Sequence, residues 1–297
     1  APTHKPCDWP VLAQQRVRFV GEAVAVVVAT DRYTAEDAAN LVDVEYEALD
    51  AIWDVEQALA PDSPLVHEEW GDNVMQTVQV EIGAVGKAFQ EADCVVSERF
   101  ETGRHMALPM ETRGCVASFE PSRDALTLWS STQVPHVLRT HIAALLDFPE
   151  HHIRVVAPDV GGGFGQKAHV FPEEVVASYI ALQLKRPVKW IEDRQEHLLA
   201  SSCQTDRVAY REVAVRNDGT LLGIKSKVIE NVGAYLRAPE PACTFRPIGN
   251  FVGPYKVQNV RLDAYDVMTN KCPTGPNRGY GCQQIYFEQE RMMDRIA

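Results

Sequence analysis

The stretch Val160-Gly161-Gly162-Gly163-Phe164-Gly165-Gln166-Lys167 decides how the chain around it folds. The apolar run Ile153–Val156 before it predicts a strand, and residues 173–184 after it predict a helix that Pro172 opens. Four glycines within five positions remove nearly every Cβ, so backbone N–H groups can press against a flat or anionic group. The segment therefore predicts a strand–loop–helix unit with a binding surface made of backbone.

Two common phosphate-binding loops do not match this stretch. A P-loop ends in Gly-Lys-Ser/Thr, whereas here Gln166 precedes Lys167 and Ala168 follows it. The dinucleotide fingerprint also fails, because the position three residues after Gly163 is Gln166 and not glycine. An unrelated α/β nucleotide-binding protein is thus disfavoured, and a plain strand-to-helix turn stays the alternative for an isolated glycine cluster.

Two further motifs accompany the glycine cluster. Together the three resemble motifs of the molybdenum hydroxylases, the family of xanthine dehydrogenase, aldehyde oxidase and aerobic carbon monoxide dehydrogenase. The glycine stretch resembles the family's molybdenum-pocket loop. Ser131-Thr132-Gln133 resembles its S-T-Q segment, and Arg278-Gly279-Tyr280-Gly281 resembles its Arg-Gly-aromatic-Gly loop. The motifs keep the family's order, and the 31 positions from Gln133 to Phe164 (164 − 133) match as well. The resemblance runs from about Arg16 to the end of the chain.

The resemblance implies a mixed α/β (α+β) chain in two parts. Residues 1–70 are expected to be the C-terminal part of a small α/β, hammerhead-like domain and a linker. Residues 71–297 are expected to be the first molybdenum-cofactor-binding domain, truncated at its C-terminal end. Within the first part, the apolar run 23–29 predicts a strand buried on both faces, Thr34 predicts the N-cap of a helix to about Leu41, and residues 42–46 predict a second strand.

One turn in the second part is well specified by its residues. Asn217-Asp218-Gly219 separates two alternating segments, residues 210–215 and 222–229, which predicts a β-hairpin. After the glycine loop, residues 173–184 and the strand Val188–Ile191 are expected to complete a β-loop-α-β unit.

The resemblance also assigns residues to a cofactor, a molybdenum held by a pterin dithiolene. Gln133 is expected to bond an oxo ligand of the metal. The backbone of Phe164 and Gly165 is expected to face the metal, while Gly162 and Gly163 let the pterin come close. In this family the cofactor carries oxygen from water to an electron-poor carbon, and the electrons leave through iron–sulfur centres.

Further residues are assigned to catalysis and substrate. The guanidinium of Arg278 is expected to stabilise negative charge beside the metal, and Tyr280 to stack on a flat substrate. Arg246 matches an arginine that faces the substrate in purine-oxidising relatives, with a salt-bridged loop arginine as the alternative. Ala168 stands where those relatives carry a glutamate, which disfavours xanthine. Cys282 lies three residues too late for the cysteine of copper–molybdenum enzymes.

Composition narrows the class of partners. The net charge of −12 argues against nucleic acid and anionic membranes, since phosphates would be repelled, and no apolar run is long enough to span a bilayer. The seven cysteines form no C-x-x-C pair and are odd in number, which indicates a reducing compartment such as the cytoplasm and no iron–sulfur cluster in this chain.

The resemblance also implies partner subunits, a form of the cofactor and a general base. It implies an iron–sulfur subunit with 2Fe-2S clusters, an FAD subunit, and the cytosine dinucleotide form of molybdopterin if the protein is bacterial. The family's general base is a glutamate of a second molybdenum domain, expected beyond Ala297 or on a second chain. Glu111 is interpreted as a structural carboxylate that bonds nearby backbone. The predicted function is hydroxylation of an aldehyde or N-heteroaromatic carbon, and the alternative is a non-catalytic cofactor-holding or assembly subunit.

Overall fold

The structure, a computed structural model, describes residues 4–297, in which nine strands form two sheets. The strands are β1 (Val74–Ile82), β2 (Cys94–Thr102), β3 (Gly114–Glu120), β4 (Ala125–Ser130), β5 (Ile153–Val156), β6 (Val188–Ile191), β7 (Arg207–Val215), β8 (Leu221–Gly233) and β9 (Val260–Met268). The α-helices are α1 (Arg32–Ala39), α2 (Val85–Gln90), α3 (Pro135–Leu146), α4 (Pro172–Leu184), α5 (Arg194–Ala200), α6 (Ala242–Phe245) and α7 (Cys282–Ile296). The expected mixed α/β class is confirmed.

The larger sheet has five strands in the order β1-β9-β8-β7-β2. The predicted hairpin is confirmed: β7 and β8 pair antiparallel, and Gly219 supplies the left-handed residue of the turn with φ +85°. Helix α7 covers one face of this sheet because its apolar residues Ile285 and Met292 pack into the same core as Val213 and Ile224. The sheet therefore anchors the helix that follows the Arg-Gly-Tyr-Gly loop.

The smaller sheet has four strands in the order β5-β4-β3-β6, with β4 and β5 parallel and the other pairs antiparallel. Helices α3 and α4 supply Leu138, Ile142 and Ala181 to its core, next to Leu128 of β4. The β-loop-α-β unit is confirmed, although β5 and β6 lie at opposite edges because β4 and β3 separate them. Strand β5 leads into the glycine loop and α4 leaves it, so this sheet fixes both ends of the loop.

The strands predicted at residues 23–29 and 42–46 are wrong. Neither segment is a strand, and Val26 and Val28 are 48% and 46% exposed. A strand needs a neighbour for its N–H and C=O groups. No other segment of residues 4–297 forms a ladder with either run, so the apolar pattern has no sheet to join. Helix α1 is present, but its N-cap is Asp31, whose side chain accepts from the Thr34 N–H at 2.9 Å, rather than Thr34.

Sequence patterns missed β1, α5 and the four-residue helix α6. Strand β1 pairs with β9 at one edge of the five-stranded sheet; residues 78–82 alternate apolar and polar, a signal that the sequence does contain, whereas Met75 and Gln76 break the alternation at its start. Helix α5 has only seven residues and is opened by a capping box between Asp193 and Glu196, which is a local signal that the sequence does contain.

One buried carboxyl group, in the helix α4 that packs on the smaller sheet, is expected to make the stability of the fold depend on pH. The carboxylate of Glu174, in the first turn of α4, accepts from Ser130 Oγ at 2.5 Å and from the Phe171 N–H at 3.0 Å. Burial raises the pKa of Glu174 to about 7 from an ordinary value of 4.5.

We expect stability to decline as the pH rises from about 4.5 to 7, since the unfolded carboxyl releases its proton in that window while the folded one retains it. The loss is on the order of 3 kcal/mol. Glu174→Gln keeps a partner for both bonds, so its stability should fall by about this much less over the same pH range. Urea unfolding of both proteins at about pH 5 and about pH 8 measures it, and parallel pH curves would contradict the assignment.

Candidate functional site

The glycine loop between β5 and α4 has a left-handed backbone at three positions. Gly162, Phe164 and Gly165 have φ values of +97°, +56° and +96°. A bulky residue such as phenylalanine rarely adopts a positive φ, and such strain persists only where the surroundings impose it. The ring of Phe164 is 48% exposed. The loop therefore presents one aromatic side chain and a stretch of bare backbone at the surface.

Gln133 is the side chain that holds this loop from the β4 side. Its Oε1 accepts hydrogen bonds from the N–H groups of Gly165 at 3.0 Å and Lys167 at 3.2 Å. A Cβ on Gly163 would collide with that Oε1, so glycine at 163 is what allows Gln133 to come so close. Gln133 is exposed, and within residues 4–297 its amide N–H₂ has no partner. The carbonyl end of the amide is thus committed to the loop and the donor end is free.

The Arg-Gly-Tyr-Gly loop packs directly against the glycine loop. The Arg278 N–H donates to Phe164 O at 2.9 Å, and a Cβ on Gly165 would lie 2.6 Å from Pro276 O. Tyr280 is a second aromatic residue with a positive φ, +53°. The three sequence motifs, which are remote along the chain, therefore meet at one place. The space at Gly163 and Gly165 is filled by Gln133 and Pro276, so the approach of a pterin there stays a prediction.

The two residues assigned to the substrate also lie together. The guanidinium of Arg246 is 5.2 Å from the centroid of the Tyr280 ring, which is the geometry of a cation–π contact. Within the described part of the chain, Arg246 forms no salt bridge, so the alternative of a salt-bridged arginine is not supported there. The Tyr280 hydroxyl is buried, which raises the pKa of Tyr280 well above its usual range. Arg278 is exposed.

Glu111 holds the start of the glycine loop. Its Oε2 accepts from the Gly161 N–H at 2.8 Å, and the Glu111 N–H donates to Gly161 O at 3.2 Å, which confirms the interpretation of a carboxylate that bonds backbone. The same Oε2 accepts from Lys167 Nζ at 2.6 Å. The sequence did not reveal Lys167 as a partner of Glu111, since two residues 56 positions apart leave no periodic signal.

Two carboxyl groups near the site have a raised pKa, but both are buried. Burial raises the pKa of Glu174 and of Glu240 to about 7. Glu174 bonds Ser130, and Glu240 accepts from the Cys243 N–H at 3.0 Å at the start of α6. Neither carboxyl group lies at the exposed face of the glycine loop, so neither has the position of a general base.

The donor groups at the exposed face fit a cofactor that brings its own metal ligands. Within residues 4–297, no group of three or more His, Cys, Asp or Glu side chains could hold a bare metal ion. What the face offers is the free amide N–H₂ of Gln133 and glycine backbone, with the exposed residue Arg278 bonded through its own N–H to Phe164. Hydrogen-bond donors of this kind suit an anionic group with oxo or phosphate oxygens.

Family profiles match almost the whole chain. The profile described as "Molybdopterin cofactor-binding domain" matches residues 66–297, and the one described as "Aldehyde oxidase and xanthine dehydrogenase, a/b hammerhead domain" matches residues 2–50. The chain belongs to the molybdenum hydroxylase family. It therefore contains a molybdopterin-cofactor-binding domain. The exact division at residues 1–70 and 71–297 stays a prediction.

Individual members of the molybdenum hydroxylase family are similar over nearly the full chain. The nicotine 6-hydroxylase large subunit of Paenarthrobacter nicotinovorans is 39% identical over 97% of the chain and 36% of its own length. The carbon monoxide dehydrogenase large chain of Hydrogenophaga pseudoflava is 35% identical over 97% of the chain and 38% of its own length. The crystal structure of quinoline 2-oxidoreductase from Pseudomonas putida 86 superposes with a TM-score of 0.92 at 40% identity. The match covers 97% of this chain and 37% of that structure's chain.

The chain thus spans little more than a third of the length of these relatives. Two of their names describe a subunit or a chain of a larger assembly. Within residues 4–297, no helix combines the length and the apolar character needed to cross a membrane.

Proposed function

We propose that the chain is the cofactor-facing portion of the molybdopterin-binding subunit of a hydroxylase. The enzyme hydroxylates an electron-poor carbon with oxygen derived from water. One observation carries this proposal: Gln133, the glycine loop and Arg278 converge at one exposed face from three remote segments. When bound, the molybdenum cofactor would supply the oxygen transfer and accept the electrons.

The residues of the chain would bind and orient the cofactor. Gln133 would donate from its free amide N–H₂ to an oxygen on the metal, because its Oε1 is already engaged by the loop. The exposed Arg278 guanidinium would stabilise negative charge that develops next to it. The backbone at Phe164 and Gly165 would line the cofactor, with Gly162 and Gly163 at the pterin side.

The substrate class we favour is an N-heteroaromatic ring, with an aldehyde as the runner-up. The relatives named for nicotine and quinoline are 39% and 40% identical to this chain, and both names denote nitrogen heterocycles. Tyr280 with Arg246 above its ring offers a flat, cationic surface for such a ring. Ala168 lacks the carboxylate that purine-oxidising relatives carry, which argues against xanthine.

The electron-transfer partners are proposed to be an iron–sulfur subunit and an FAD subunit in a cytoplasmic complex. The cofactor is proposed to be the cytosine dinucleotide form of molybdopterin. The general base is proposed to be a glutamate outside residues 1–297, since the raised-pKa carboxyl groups near the site are buried. The second candidate is a cofactor-holding subunit that turns over no substrate by itself. It is favoured by the same observation, that the carboxyl groups with a raised pKa near the site are buried.

The test uses the full-length protein, purified with its co-purifying subunits from its native host. We expect molybdenum in the large subunit, and an ¹⁸O label from water in the hydroxylated product of a quinoline-type ring. Arg278→Met should keep the metal and lower turnover by about 10²-fold. Metal without turnover would favour the cofactor-holding alternative. A complex without molybdenum would contradict both.

A further inference from the structure

The glycine loop is closed by one ion pair between residues outside its glycine run. Glu111 Oε2 lies 2.6 Å from Lys167 Nζ and 2.8 Å from the Gly161 N of the other loop end. One carboxylate oxygen therefore ties together the first and the last residue of the segment that faces the proposed cofactor. The proposed function assigns no role at the cofactor to either member of the pair.

The two partners are buried to very different degrees. The side chain of Lys167 is 1% exposed, whereas that of Glu111 is 39% exposed. A buried ammonium that loses its counter-charge bears its full desolvation cost, while a half-exposed carboxylate can be hydrated in place. The cavity beside Lys167 has a volume of about 10 Å³, which is room for a single water. Loss of the Glu111 charge should therefore cost more, at the buried Lys167, than loss of the Lys167 charge costs at the half-exposed Glu111.

We propose that Glu111 and Lys167 form a clamp in which the Glu111 carboxylate neutralises the buried Lys167 ammonium and so keeps residues 161–167 in the shape that receives the cofactor. The backbone of Lys167 supports the same assignment: its N–H donates to Gln133 Oε1, and its carbonyl accepts from the Gln133 N–H at 2.9 Å. A displaced Lys167 would therefore also release Gln133. Both residues of the pair are positioning residues, and the cofactor part of this inference rests on the function proposed above.

The burial difference predicts unequal effects of the single substitutions. Glu111→Gln leaves a buried ammonium unpaired, so it should open the loop. Lys167→Met leaves a carboxylate that water can reach, so its effect should be small. The double variant Glu111→Gln/Lys167→Met is neutral again, and the new amide oxygen at position 111 can still accept from the Gly161 N–H. A purely structural contact would instead make the double variant at least as damaged as Glu111→Gln.

The experiment measures hydrogen–deuterium exchange of the peptide covering residues 161–167, together with molybdenum content, in the full-length complex. Glu111→Gln should speed exchange of that peptide by roughly tenfold or more and lower metal content by roughly fivefold or more. Lys167→Met should change exchange by less than about threefold, and the double variant should return close to Lys167→Met. Glu150→Gln, which breaks the exposed 2.9 Å pair with Arg139, is the matched control and should change neither quantity.

Equal effects of the two single substitutions, or a double variant as open as Glu111→Gln, would overturn the clamp. If Glu111→Gln yields no folded protein, exchange in the double variant decides alone: a closed loop supports the clamp and an open loop overturns it. If the loop opens while molybdenum content stays unchanged, the proposed function fails and the clamp stands. The exchange measurement itself needs no cofactor.

Discussion

Gly165→Ala is expected to separate the glycine loop from the Arg-Gly-Tyr-Gly loop. Gly165 has a φ of +96°, which costs a side-chain-bearing residue about 1 kcal/mol. Its new Cβ would in addition lie 2.6 Å from Pro276 O, a backbone atom that cannot move without its loop. We expect a total destabilisation of roughly 2–4 kcal/mol and loss of the cofactor. Urea unfolding and metal analysis of the full-length protein measure the two effects.

Gly219→Ala is the matched control for this substitution. Gly219 has a similar φ of +85°, but nothing lies within 4 Å of its hypothetical Cβ. The control should therefore show the backbone cost of about 1 kcal/mol alone and keep its molybdenum. If both variants lost the same stability and both kept the metal, contact between the two loops would not matter to the site.

Gln133→Glu is expected to abolish most turnover in a protein that stays folded. The carboxylate can still accept from the N–H groups of Gly165 and Lys167, so the loop retains both of its bonds. What it loses is the donor N–H₂, and removal of one positioned donor typically costs about 10²–10³-fold in rate. Gln133→Ala loses both ends of the amide and should also loosen the loop.

Steady-state turnover, together with exchange at residues 161–167, separates the two Gln133 variants. We expect Gln133→Glu to show slow turnover with wild-type exchange, and Gln133→Ala to show slow turnover with faster exchange. Wild-type turnover of Gln133→Glu would mean that the free amide end does not face the reacting group.

The sequence predicted which segments meet at the candidate site better than it predicted the strands of the small N-terminal part. The motifs around Gln133, Phe164 and Arg278 could be placed together because their order and spacing resemble a family, and the structure joins them through specific bonds. The apolar pattern at residues 23–29 predicted a strand buried on both faces. A strand, however, also needs a pairing partner, and residues 4–297 form none with it, so Val26 and Val28 remain exposed.

Contacts that depend on three-dimensional closeness left no local pattern. The fit of Gln133 against Gly163 and of Pro276 against Gly165 is between segments far apart in sequence. The pairing of Lys167 with Glu111 is of the same kind. Glycine richness predicted a close approach but not which group approaches. At these two glycines the neighbour within the chain is another loop or side chain.

The most direct test of the central claim is an anomalous difference map at the molybdenum absorption edge from crystals of the full-length complex. The map shows whether the cofactor binds at the face where Gln133, the glycine loop and Arg278 meet. We predict a single strong peak per large subunit beside this face, within reach of the Gln133 amide and the Phe164 backbone. A molybdenum peak at any other place on this chain, or a metal-loaded enzyme with no peak near Gln133, would contradict it.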